Sequence, residues 1–120
     1  MSWDIFIQDL PPVPRVEDIP RDFKPRPIGD RAGIIARILK VLPMAERQDG
    51  DWLFAKGDDI DLSLQIHMED ETLVRYIVVH VEGGEQSATA VAALLRELGL
   101  RAMDTATGDL FDAATLEEGL

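Results

Sequence analysis

The clearest pattern in the chain is the alternation over residues 60–68. Ile60, Leu62, Leu64, Ile66 and Met68 fall on one side and Asp61, Ser63, Gln65 and His67 on the other. A period of two sends successive side chains to opposite faces of a pleated strand, so this stretch predicts a strand with one wet face. Residues 69–72 predict a turn, and the more apolar run 73–81 predicts an antiparallel partner strand, central in the sheet and ended by Gly83-Gly84. Residues 3–8, β-branched and aromatic and stopped by Asp9 and Pro11-Pro12, predict a further short strand. A short edge strand is expected at 52–55, after a polar turn at 48–51, and a last short strand at 100–103.

Between these strands the period changes to that of a helix. Ile34, Ile35, Ile38, Val41 and Leu42 recur at helical spacing after Asp30, a suitable N-cap, and Pro43 ends the segment. A second helix starts at Gln86 or Ser87, carries the stripe Val91, Leu94, Leu95 and Leu98, and closes at Gly99. Six of the seven prolines lie between Pro11 and Pro27, a density that forbids both a helix and a paired central strand. Residues 11–29 are therefore expected to form a proline-rich extended arm, with Val13, Val16, Ile19 and Phe23 laid against the domain surface.

The resulting order predicts an α+β fold: a mainly antiparallel sheet with two helices on one face. It is close to the split β-α-β-β-α-β, ferredoxin-like arrangement, varied by the extra short strand at 52–55 and by the arm. A chain of 120 residues that is 46% apolar has the size and composition of one folded domain, here taken as 1–120.

Charge sharpens the picture. Twelve Lys and Arg against 23 Asp and Glu give a formal charge of −11. Residues 1–47 hold eight basic and seven acidic side chains, net +1, whereas residues 48–120 hold four and sixteen, net −12. Such a surface repels phosphate backbones and disfavours nucleic acid, unless Arg15, Arg21, Lys24, Arg26 and Arg31 gather into a patch. It favours encounter with a basic protein, although acidity also serves plain solubility. With no cysteine, disulfides, thiolate metal sites and cysteine nucleophiles are excluded. Residues 1–10 lack the basic start of a secretory signal, and no apolar run approaches the ~20 residues that span a bilayer. A cytoplasmic protein without a membrane partner is the expectation.

The candidate chemistry is sparse. If residues 69–72 form a four-residue turn, His80 stands opposite Asp61 and His67 opposite Val74, with both histidines on one sheet face about six residues, roughly 20 Å, apart. They cannot then share a metal. The Asp61/His80 pair is the candidate for acid/base catalysis, with Ser63 one alternate position away; Tyr76 and His67 are the candidates for ligand binding on the same face. A three-residue loop would change the parity and remove the pair. The same register points Arg75 inward near the turn and places Val74, Tyr76 and Val78 as an apolar strip on the uncovered face.

Other motifs read more simply as structure. Gly83-Gly84 lies between Glu82 and Glu85 with no lysine following, which fits a tight turn better than a phosphate loop. Asp104, Asp109 and Asp112, with Thr105, Thr107 and Gly108, depart from calcium-loop spacing and fit Asx and Thr turns. Asp58, Asp59 and Asp61 approach a hairpin without a visible partner base. Pro11-Pro12-Val13-Pro14-Arg15 matches a proline-helix ligand, but any proline-dense arm contains such a run. No metal or cofactor is expected.

The segments Trp3–Pro11, Asp22–Gly29, Leu98–Asp104 and Gly108–Asp112 resemble a group of small, uncharacterised bacterial proteins, and the resemblance spans nearly the whole chain. It implies a bacterial, soluble, single-domain protein and carries no activity, ligand or catalytic residue to any position. The residues point first to a non-enzymatic, acidic interaction protein, of an inhibitor or immunity-like kind, that meets a basic protein. The alternatives are a small-molecule-binding or hydrolytic domain using the open sheet face, and a structural homodimer.

Overall fold

Residues 2–48 and 50–119 are described by the computed structural model, and among them the alternating segments become strands of one sheet. The strands are β1 (Trp3–Gln8), β2 (Gly29–Asp30), β3 (Glu46–Gln48), β4 (Trp52–Gly57), β5 (Ile60–Met68), β6 (Leu73–Gly83), β7 (Arg101–Asp104) and β8 (Leu110–Phe111). Three helices accompany them: α1 (Arg31–Val41), α2 (Ser87–Leu98) and α3 (Ala113–Glu118). The sheet order is β3-β4-β5-β6-β1-β7-β8, every pairing is antiparallel, and β2 pairs with the start of β6. The architecture is α+β, as the periodicities predict.

Alternation decides which side of the sheet is buried. Ile5 and Ile7 of β1, Leu53 and Ala55 of β4, Leu62, Leu64 and Ile66 of β5, and Ile77 and Val79 of β6 form one core with Ile34, Ile35 and Ile38 of α1 and Val91, Leu94 and Leu95 of α2. Ala113 and Leu116 of α3 join the same core. All three described helices thus serve one face, leaving the intervening strand residues on the other.

Local chemistry sets the helix ends. Asp30 caps α1 by accepting from the Gly33 N–H at 2.9 Å, and Asp112 caps α3 by accepting from the Thr115 N–H at 2.8 Å. Gly99, in the left-handed region at φ 66°, closes α2. Residues 9–28 contain no α-helix and are tied down at both ends. The Leu110 N–H donates to Pro14 O and the Val16 N–H to Gly108 O, while the Ile28 N–H donates to Val74 O. Arg15 fastens this path through Asp109 Oδ1 (2.6 Å), Glu17 Oε1 (2.8 Å) and Thr107 O (2.8 Å). Val16–Asp18 makes a single 3-10 turn, and Gly29 belongs to β2 rather than to an extended arm.

The hairpin between β5 and β6 corrects the expected register. Its loop holds three residues, Asp70–Thr72, because the Glu69 N–H donates to Leu73 O and the Asp70 carboxylate accepts from the N–H groups of both Thr72 and Leu73. That parity change is then undone by a bulge: Met68 pairs with Val74 but His67 pairs with Tyr76. Arg75 is the extra residue and is exposed, while Val74 is fully buried. The bulge resolves the conflict in the simpler register, since a guanidinium facing an apolar core without a partner is costly by several kcal/mol. His80 consequently stands opposite Ser63, Asp61 stands opposite Gly83, and Val74 leaves the outer strip.

β3 was not expected and takes Gln48 from the expected turn at 48–51; Asp49 of that turn lies outside the described residues. β8 forms within the stretch 104–112 read as turns, and α3 follows where no element was expected.

Candidate functional site: the outer face of the sheet

On the outer face the cross-strand register builds rows. Phe54, Ser63, His80 and Asp4 form one row across β4, β5, β6 and β1. Trp52, Gln65, Val78, Phe6 and Met103 form the next, running on to β7. His67 and Tyr76 pair in the row beyond. Their exposure is intermediate except for Val78, which is only 7% exposed although it lies on this face. Val78 is flanked along its strand by Tyr76 and His80 and across it by Phe6, so aromatic side chains surround it.

The rings are ordered by contact. His67 stacks on Tyr76 with centroids 4.5 Å apart, and Tyr76 stacks on Phe6 at 5.3 Å. Trp52 stacks on both Phe54 and His80, at 5.8 Å in each case. Cross-strand aromatic pairs of this kind stabilise a sheet by fractions of a kcal/mol each and present rigid apolar area. His67 Nε2 is enclosed without a hydrogen-bond partner, so that ring contributes packing more than polarity.

His80 is oriented from β1. Its Nδ1 lies 2.8 Å from Asp4 Oδ1, with the carboxylate accepting, and the two residues are directly opposed in register. The expected Asp61 partner is displaced by two positions. The two histidines are nearer than expected, four residues or roughly 13 Å along the strands, with the Trp52 row between them.

Ser63, His80 and Asp4 stand on three adjacent strands, the residue types of a hydroxyl nucleophile, a base and an orienting acid. Among the described residues no hydrogen bond joins His80 to Ser63.

One end of the face gathers charged side chains. Phe54, Lys56, Asp61, Leu62, Ser63 and Glu82 line a shallow depression of about 370 Å³. Ser63 is the small residue between the Phe54 and His80 rings, so the floor dips there. Asp61 and Glu82 hold no ion pair among the described residues, whereas Arg15, Arg31, Arg37, Lys40, Arg75, Arg96 and Arg101 all meet carboxylates elsewhere.

Beside this face Gly83-Gly84 makes a tight turn. Gly84 has φ 90°, and a Cβ there would strike Asp59 O. Ser87, 1% exposed, donates from Oγ to Gly83 O at 2.5 Å and accepts from the Asp61 N–H at 3.2 Å. It thereby fixes the end of β5, where the ladder is irregular and Asp61 faces Gly83. In the tail, Asp104 Oδ1 accepts from the Ala106 N–H, Asp109 binds Arg15 and Asp112 caps α3, so the three carboxylates hold three separate turns.

Sequence reasoning placed His67, Tyr76, Ser63 and His80 on one face but missed Trp52, Phe54, Phe6 and Asp4. The signal was present as alternation: Trp52 and Phe54 interleave with buried Leu53 and Ala55, and Asp4 and Phe6 with buried Ile5 and Ile7. What alternation does not supply is the order of strands, which brings Asp4 beside His80.

Fold and face together define an α+β protein whose antiparallel sheet carries helices on one side and an ordered aromatic surface on the other. Comparison with protein-family models, curated proteins and solved structures finds no match to this chain.

Proposed function

We propose that the protein is a non-enzymatic interaction module whose outer sheet face docks a basic protein partner. The observation that carries this reading is the stacked aromatic surface of Trp52, Phe54, His80, Tyr76, His67 and Phe6, left partly exposed on a face without a helix among the described residues. Contiguous aromatic area of this kind marks protein contacts, where Trp and Tyr supply most of the binding energy. The −11 charge supports a basic partner, since opposed fields speed encounter and reject like-charged competitors. An inhibitor or immunity-like role, blocking a basic protein by covering it, fits this surface. The absence of any helix among the described residues long and apolar enough to cross a membrane is compatible with the cytoplasmic setting we propose.

The strand order β5-β6-β1-β7, with α1 and α2 on one side, supports a ferredoxin-like reading of a single domain over 1–120. The β3–β4 hairpin extends one edge, and the proline-rich segment lies along the other. This arrangement disfavours a homodimer through sheet edges. At one edge β3 is short, exposed and charged, and at the other β8 is accompanied by Pro14–Val16. A second copy would also bring the same negative charge to the face.

The test is a photo-crosslinking residue placed at Tyr76 and, as a control, at exposed Ala93 on α2, in host cells. A discrete basic protein crosslinked from position 76 and not from 93 is the expected result. Crosslinks only to a second copy, or equal yields at both positions, would overturn the reading.

A further inference from the structure

Resting on the docking reading above, we propose that the depression beside Ser63 receives an arginine side chain of the partner, selecting guanidinium over ammonium. Three observations meet there. Phe54 is the ring that lines the notch, itself stacked on Trp52, and His80 stands opposite Ser63 in the neighbouring strand. Asp61 and Glu82 line it with carboxylates that hold no ion pair among the described residues. Ser63 adds a hydroxyl at the floor.

A guanidinium is planar, stacks on aromatic faces and directs forked N–H donors at carboxylates, and it is less strongly hydrated than an ammonium. A lysine can satisfy the charge but not the stacking. Lys56 lines the same depression directly opposite Asp61 in register and opposes any cation, so its removal should strengthen the site. A second copy does not fit, because its surplus charge is acidic.

The experiment is an NMR titration of the full chain at low salt with two synthetic heptapeptides, Gly and Arg alternating in one and Gly and Lys in the other. The arginine peptide is expected to bind at least fivefold more tightly and to shift the amides of Ser63 and Glu82. Glu82→Gln, at an exposed position, and Asp61→Asn are each expected to weaken it several-fold. Lys56→Gln is expected to tighten it, and Phe54→Leu to remove the preference for arginine. Equal affinities for the two peptides, or an arginine preference untouched by Glu82→Gln and Asp61→Asn, would overturn the guanidinium site. If crosslinking from position 76 to a basic protein persists in that case, the docking reading survives; if it is also absent, both fail.

Discussion

Asp4 on β1 and His80 on β6 face each other directly across adjacent antiparallel strands, and the carboxylate holds the imidazole at 2.8 Å through Nδ1. The contact aims the ring so that its face lies against Trp52. A long-range strand pairing thus fixes the middle of the aromatic surface.

A carboxylate acceptor at Nδ1 requires the proton on that nitrogen, so neutral His80 is expected as the Nδ1–H tautomer. Long-range proton–nitrogen NMR spectra of the wild type should show it. Asp4→Ala should release the ring to the commoner Nε2–H form, and Asp61→Ala should leave it unchanged. A tautomer sensitive to Asp61 but not to Asp4 would contradict the register described above.

Ser87→Ala deletes the hydroxyl that joins Gly83 O to the Asp61 N–H at a fully buried position. Leaving these groups unpaired should cost roughly 1–3 kcal/mol, read as a lower urea midpoint at constant slope. A loss under a few tenths of a kcal/mol would show that the hydroxyl is dispensable.

The two glycines after β6 should behave differently. Gly84→Ala forces a side chain onto Asp59 O at φ 90° and should destabilise by at least the roughly 1–3 kcal/mol of a strained backbone position. Gly83→Ala meets nothing within 4 Å and should be near neutral. Equal costs in thermal unfolding would refute the close approach.

Acid should weaken two turns. The N–H groups of Leu73 and Thr72 hold the Asp70 carboxyl below the usual carboxylate range, and the backbone and hydroxyl of Thr115 do the same for Asp112. A carboxyl depressed in the folded state stabilises above its unfolded pKa, about 3.9, and the effect is lost as pH falls through the lower folded value. The stability difference between wild type and Asp70→Asn/Asp112→Asn should therefore hold steady above about pH 5 and shrink below pH 4. A difference that stays constant down to pH 2 would contradict this assignment.

Much of the fold was legible because its signals are local. The alternation of 60–68, the cap at Asp30 and the stop at Gly99 each depend on neighbours within a turn or a pleat. The β5–β6 register was not legible to the residue, since it depends on Asp70 closing a three-residue loop and on Arg75 bulging out of the core. β2 and β8 escaped because two-residue strands carry no period. α3 escaped because its six residues follow a run of turn-forming Asp, Thr and Gly. The site was half visible: parity grouped Ser63, His67, Tyr76 and His80, but their partners from β1 and β4 required the order of strands.

The most direct test of the central claim is amide chemical-shift mapping of the full chain when the crosslinked partner is added as purified protein. The account predicts shifts concentrated at Trp52, Phe54, Tyr76 and His80, weakened by salt and abolished by Tyr76→Asp in a variant that keeps its folded spectrum. Shifts confined to α1 and α2, with the outer face silent, would contradict it.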